Sequence, residues 1–498
     1  MTNRRFVLGS GATLVAGLLL ARRAPAASEA APLSAEERAL HALNRLGYGP
    51  TSQDRSAIAE QGAQAWLDRF LAEQLQPERL ALPTPLAERL SSLEVLRLSP
   101  VEAIHRHREV QQLARRLRAD AEGQAVPDEL RAARERQRAL QQQAGAARLL
   151  RAQQSPAQLS EVLTEFWFNH FNVYAGKAPV GLLVADYEQH AIRPHVLGRF
   201  RDMLGATARH PAMLIYLDNA QSSGGDRQGR GGLNENYARE LMELHTLGVD
   251  GGYSQQDVTE LARMLTGWGL DGRAIAAGGP GAGFRFEPRR HDTGVKTWLG
   301  HRVAPNGQAE GELALDVLAR HPATARHLAF KFAQAFVADV PPPALVRRLA
   351  ESFQASDGDL HALTRTLLRS DEFWSREAYQ AKFKTPYQYL LSSLRALDLA
   401  PAEAQPLLTA LAQAGQPLYG AATPDGYKST AQAWRSPEAL TQRVQLAATL
   451  GARSGVSAQQ LGDTLGGLVT ASTRRTLAAE PAPQQLALLL ASPDFMKH

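Results

Sequence analysis

The sequence predicts a mainly α-helical protein, a multi-helix globular bundle interrupted by one small β-hairpin or extended excursion around residues 272–306. Three observations predict it. Helix signals and amphipathic runs recur from residue 33 onward, starting with a capping signature at Ser34. No alternation of strand and helix patterns supports a parallel sheet. Only 272–306 is rich in Gly and Pro with short alternating runs, such as Gly283-Phe-Arg-Phe-Glu287.

The chain starts with a leader. Asn3-Arg-Arg-Phe-Val-Leu8 pairs two arginines with apolar residues, a weakly hydrophobic run follows to Ala21, and Ala24-Pro-Ala26 offers small residues for cleavage. That layout over residues 1–26 predicts a secretory signal of the twin-arginine type, and a periplasmic or secreted protein. An ordinary secretory leader with a chance arginine pair is the alternative. No later stretch reaches 18 apolar residues without charge, so no integral span is expected in the mature chain.

From 33 to 75 the pattern is helical. Ser34-Ala-Glu-Glu37 is a capping signature, and Asn44-Arg-Leu-Gly-Tyr-Gly49 reads as a helix end and turn. Residues 100–153, rich in Arg, Gln, Glu and Ala, predict two long polar helices broken at 123–127, a hairpin standing off the core. Acids interleave its arginines and aromatics are absent, which argues against a nucleic-acid arm. Residues 157–250 are dense in helix signals, interrupted by a glycine-rich loop from Ser222 to Gly232. Amphipathic helices resume over 312–398. We expect a main helical domain over 33–400 and a C-terminal helical subdomain over 401–498 packed on it. Leu367-Leu-Arg-Ser-Asp-Glu-Phe373 is echoed by Leu489-Leu-Ala-Ser-Pro-Asp-Phe495. One such pair is not a repeat array.

Composition narrows the chemistry. The 498 residues contain no cysteine, which excludes disulfides, thiolate metal sites and a cysteine nucleophile. The formal charge of +5 is partly the leader's: without its four arginines, 51 basic residues face 50 acidic ones, a net of about +1. A nearly neutral body has no strong pull toward nucleic acid. There is no Gly-x-Ser-x-Gly elbow, no His-Glu-x-x-His motif and no glycine-rich nucleotide loop.

Three stretches could carry chemistry. Asn234-Glu-Asn-Tyr-Ala-Arg-Glu-Leu-Met-Glu-Leu-His-Thr-Leu-Gly-Val249 reads as four turns of helix. At 100° per residue, Tyr237, Ala238, Leu241, Leu244 and Gly248 share an apolar side that includes His245; Glu235, Arg239 and Glu243 share another, with Glu240 at the border. Either the charges form an i,i+4 ladder worth a few tenths of a kcal/mol per pair, or Glu240 and Glu243 face a cleft as an acid/base pair or metal ligands. Phe166-Trp-Phe-Asn-His-Phe-Asn172 is apolar nearly all round, so Asn169 and His170 need partners inside. They are a buried hydrogen-bonded pair or part of a site wall with Trp167 as a platform. Arg290-His-Asp292, with Lys296 and Trp298, places a His–Asp pair in the loop-rich excursion.

Together, the segments 42–49, 166–173, 234–249, 257–269, 291–300 and 367–374 resemble the bacterial family called domain of unknown function 1800. The resemblance covers nearly the whole mature chain. Its most specific motif is the run from Glu235 to Gly248, where the family usually has Leu at Met242. It implies that the polar residues Asn169, His170, Asn172, Glu235, Asn236, Arg239, Glu240, Glu243, His245, Thr266, Trp268, His291, Asp292 and Lys296 recur together, which favours one shared site over separate salt bridges. It also implies export, and an exported sulfatase-like protein as partner.

Three functions follow as expectations. The first is a cell-envelope hydrolase of a polymer such as a glycan, with Glu240, Glu243, Glu235 or Asp292 as catalytic carboxylates. Trp167, Asn169, Tyr237, Arg239, Trp268 and Lys296 would bind substrate. The second is a metal-dependent oxidoreductase or hydrolase with a divalent metal on His170, His245 and His291. The third is a non-catalytic scaffold that docks the sulfatase-like partner.

Overall fold

Ser34 caps the first described helix as its sequence foretells. Its hydroxyl accepts the Glu37 N–H while the Glu37 carboxylate accepts the Ser34 N–H, and the helix Ala35–Arg45 follows. The structure is a computed structural model describing residues 31–119, 127–224, 232–400 and 403–498. The leader, the break from Gly123 and the middle of the Ser222–Gly232 loop lie outside them. The body is mainly helical, 64%, with two small two-stranded antiparallel sheets, as expected. Leu33–His498 form one compact unit. Among the described residues, no helix is long and apolar enough to cross a membrane.

Both sheets lie at the excursion. Trp268–Leu270 pairs with Phe284–Phe286, the alternating run read in the sequence. Lys296–Trp298 pairs with His301–Val303 across Leu299 and Gly300, whose positive φ angles of 46° and 76° suit a two-residue hairpin turn.

Two expectations need correction. The polar helices Pro100–Ala119 and Asp128–Gln154 do not stand wholly off the core, since the start of the first and the end of the second are built into it. Val101, Ala103 and Ile104 join the main apolar cluster, while Ala144, Leu149 and even Arg148 are buried. Small alanines and glycine let neighbours approach there: a Cβ on Gly145 would lie 2.8 Å from Leu408. The Asn234 run is not four turns either; its helix is Glu235–Glu243. Leu244 and His245 both donate backbone N–H groups to Glu240 O, and the Thr246 hydroxyl donates to Leu241 O at 2.6 Å. These bonds close the helix end and turn the chain toward Gly248.

The main apolar cluster runs from Ala39 to Tyr419, around rings such as Trp167, Phe171 and Phe200. A second gathers Tyr387–Leu397 with the helices Pro437–Arg453 and Ala482–Leu490. The sequence echo has a shared local structure. Ser370 Oγ accepts the Phe373 N–H, Ser492 Oγ accepts the Phe495 N–H, and both rings are buried.

Candidate functional site

The polar motif residues fold into two clusters. The first is built on the excursion. Lys296 and Glu310, whose side chains are 0% exposed, pair at 2.7 Å. His291 Nε2 meets Glu310 Oε1 at 2.9 Å, and Glu310 Oε1 also accepts the Asn306 N–H. Arg263 donates twice to Asp292 at 3.0 Å and grips Glu260 with its remaining terminal nitrogen. The Thr266 hydroxyl accepts the Asp292 N–H, while Lys296 donates to the Asp292 carbonyl. Burial raises the Asp292 carboxyl, but Arg263, the Gly294 N–H and Lys296 outweigh it and hold the group at about 2. Burial likewise opposes ionisation of Glu310, and Lys296, the Asn306 N–H and His291 still hold it below the usual carboxylate range. These groups satisfy one another, which is the signature of a network that fixes structure.

The second cluster is under-satisfied. It forms where the helices Gln158–His170, Glu235–Glu243 and Pro322–Phe336 meet the loop from Tyr419 to Lys428. Asn169 clasps that loop, donating to Tyr427 O and accepting the Tyr427 N–H, each at 2.7 Å. Gly426, at φ 67°, allows this: a Cβ there would lie 2.4 Å from Asn169 O. Asn172 Nδ2 donates to Ala421 O and Thr423 O. The Tyr216 hydroxyl donates to Ala422 O at 2.8 Å. Loop residue Asp425 is thereby placed, with Thr423 Oγ1 at 2.6 Å and Lys428 Nζ at 2.5 Å on its carboxylate.

Three histidines line the interior of this cluster. His170 Nε2 donates to His245 O at 3.0 Å, and its ring lies 6.2 Å from those of His245 and His327. His327 Nε2 donates to Leu244 O. Burial, joined by the positive charge of Lys331, keeps all three neutral: His245 falls to about 3, His327 to about 4, and His170 well below the ordinary range. Among the described residues, neither the Lys331 ammonium nor the Glu240 carboxylate makes a hydrogen bond or ion pair. Burial lowers Lys331 to about 8 against the pull of Asp425. Burial raises Glu240, Glu243 and Asp425 add to that, and Arg239 opposes it. An acid is pushed up and a base pushed down within the field of one aspartate.

The remaining predicted residues fall elsewhere. Trp167, Tyr237 and Trp268 are core rings, 1%, 0% and 0% exposed, so none offers a face to a sugar. Asn169 faces the loop backbone, and Lys296 is enclosed in the first cluster. Glu235 accepts from Gln255 and Thr259 and pairs loosely with Arg239 at 3.5 Å, which is the ladder reading of that side. Glu243 accepts from Tyr253 at 3.4 Å. Of the carboxylates singled out, Glu240 alone is half-buried without a partner among the described residues. The proposed metal ligands are split, with His170 and His245 in one cluster and His291 in the other. Among the described residues, no three His, Asp or Glu side chains are grouped to hold a metal ion, so these histidines do not fit one.

Sequence reasoning missed Lys331, His327, Asp425 and Tyr216. A signal existed for two of them. His327 and Lys331 stand four apart in an otherwise apolar helix stretch, one above the other on a single face. Asp425 hid in Thr423-Pro-Asp-Gly426, which reads only as a turn. Gly248 belongs with this group: its φ is 83°, and a Cβ would lie 2.9 Å from His327 Nδ1.

A family model described as "Protein of unknown function (DUF1800)" matches residues 41–497. No curated protein and no solved structure matches the chain.

Proposed function

The chain belongs to the DUF1800 family, and we propose that it is an exported cell-envelope hydrolase whose acid–base work is done by Glu240 and Lys331. One observation carries this reading: two ionisable groups of opposite type, both without partners among the described residues, shifted toward each other's range beside Asp425. Glu240, its carboxyl raised by burial, is assigned the role of proton donor, and Lys331, lowered to about 8, that of proton acceptor. In the hydrolytic step, a water gives its proton to Lys331 Nζ as its oxygen bonds the electrophilic carbon. The bond to the leaving oxygen breaks, and that oxygen takes the Glu240 proton. Asp425 steadies the lysine in its charged form. Asn169 and Asn172 are positioning residues that hold the Asp425 loop.

A polymer such as a glycan remains the substrate class we favour. The half-buried Tyr253 and Tyr427 take over the ring-facing role from the three buried aromatics. Export by the twin-arginine route rests on the Asn3–Leu8 pattern. The test is release of soluble fragments from purified cell-wall polymer by the mature protein and by Glu240→Gln and Lys331→Met. Each variant should lose at least about 100-fold, the scale of removing one acid or base. If both variants keep full activity, the acid–base assignment is wrong, and docking of a sulfatase-like partner becomes the better account.

A further inference from the structure

Behind Asn169, a cavity of about 110 Å³ lies between the Gln158–His170 helix and the Tyr419 loop. A single water needs only about 10–15 Å³ of such space, so the cavity is large enough for a small organic molecule. Much of its wall is apolar, with Phe166, Phe168 and Phe336 among the rings. Its charged groups are lopsided. Arg45, Arg148, Lys382 and Lys428 line it against a single side-chain carboxylate, Glu165. Burial raises that carboxyl, and Tyr48 donates to it at 3.0 Å.

Three of the four cations are engaged from outside the cavity lining. Arg148 pairs with Glu188, Lys382 with Asp339, and Lys428 with Asp425. Arg45 is different. It is 1% exposed and gives one terminal nitrogen to Ala378 O at 2.8 Å. Its Nε and other terminal nitrogen have no acceptor among the described residues. Both of those nitrogens are themselves enclosed, so what Arg45 brings to the cavity is a positive charge with no carboxylate paired to it among the described residues. His498 adds a ring at the same end, and burial with the nearby Arg45 charge keeps it neutral.

We propose that this cavity binds a small carboxylate with an apolar body, the carboxylate on Arg45 and the body against Phe166 and Phe336. The carboxylate answers the excess of positive charge in the wall, to which Arg45 contributes unpaired, and the rings bury the rest. Because the cavity shares Asn169, Asn172 and Lys428 with the Lys331 cluster, its occupant sits next to the loop that carries Asp425. Binding is read without turnover, so this assignment stands or falls apart from the acid–base reading.

The experiment is calorimetric titration of the folded mature protein with sodium benzoate, benzyl alcohol and inorganic phosphate. Benzoate should bind at least about tenfold more tightly than either control, since one lacks the charge and the other the apolar body. Arg45→Met should weaken benzoate by a similar factor. Ala335→Leu, which fills the cavity from the Pro322–Phe336 helix, should abolish binding and decides the matter if Arg45→Met does not fold. Absence of benzoate binding, equal binding of phosphate or benzyl alcohol, or undiminished binding by a folded Arg45→Met or by Ala335→Leu would each overturn the proposal.

Discussion

Lys296→Met separates a network that fixes structure from one that does chemistry. Lys296 Nζ lies 2.7 Å from Glu310 Oε2, and neither side chain is exposed. At an effective dielectric near 20, the attraction at that distance is about 6 kcal/mol. Withdrawing both ions from water cancels several kcal/mol of it, so the pair itself contributes little net stability. Removing the lysine alone is another matter. Glu310 stays buried, with only His291 and the Asn306 N–H to support its charge. The loss should be about 3–5 kcal/mol. Lys296→Met/Glu310→Gln removes the stranded charge as well and should be milder than Lys296→Met, a coupling of about 2 kcal/mol. Urea unfolding followed by tryptophan fluorescence measures all three proteins. Acid pH supplies a second readout. Glu310 and Asp292 have folded pKa values below their unfolded ones of 4.5 and 3.8. Their stabilisation is therefore complete above those values and lost as pH falls through the folded ones, which for Asp292 is about 2. Lys296→Met should flatten that acid limb. A loss under about 1 kcal/mol, or a double variant as weak as the two singles summed, would refute the network reading.

Other outcomes follow from the second cluster. Competitive labelling with an amine-reactive reagent should show Lys331 half-modified near pH 8, whereas an ordinary lysine titrates near 10.5; a Lys331 midpoint at 10 or above contradicts the desolvated amine. Asn169→Ala removes both bonds to Tyr427 and should cost about 1–3 kcal/mol, with faster hydrogen exchange at residues 421–428; unchanged exchange there would mean the clasp does not hold the loop. Because the three cluster histidines are kept neutral, the unfolded chain takes up their protons first, so stability should decline as pH drops below about 6.5. His245→Phe would lessen that decline, and a variant with the same acid slope would count against it. Arg4→Lys/Arg5→Lys should leave precursor in the cytoplasm on cell fractionation, and normal secretion would favour an ordinary leader.

The fold was legible because its signals are local. Ser34 with Glu37, Thr51 with Asp54 and Ser254 with Asp257 each write a helix start into four consecutive residues. The excursion announced itself through alternation around Phe284. The candidate site was legible only in part. Glu240, His170 and His245 stood out because ionisable groups in apolar company are visible in any sequence. Their helix was overextended, because the hydrogen bonds of Thr246 and His245 that end it are invisible to periodicity. Lys331 and Asp425 are 94 positions apart and meet only through tertiary packing, and no local pattern links them. Trp167, Tyr237 and Trp268 misled for the opposite reason: an aromatic beside polar residues looks the same whether it lines a cleft or fills a core.

The clasp between Asn169 and Tyr427 also has a temporal side. A nascent chain that has emerged only as far as residue 400 already owns every helix carboxylate of the motif, yet Lys331 has no aspartate to answer it. The pair proposed for proton transfer meets its aspartate only after the last fifth of the polypeptide returns to its middle, so shortened versions ending before Tyr419 should lack the activity proposed for the whole chain.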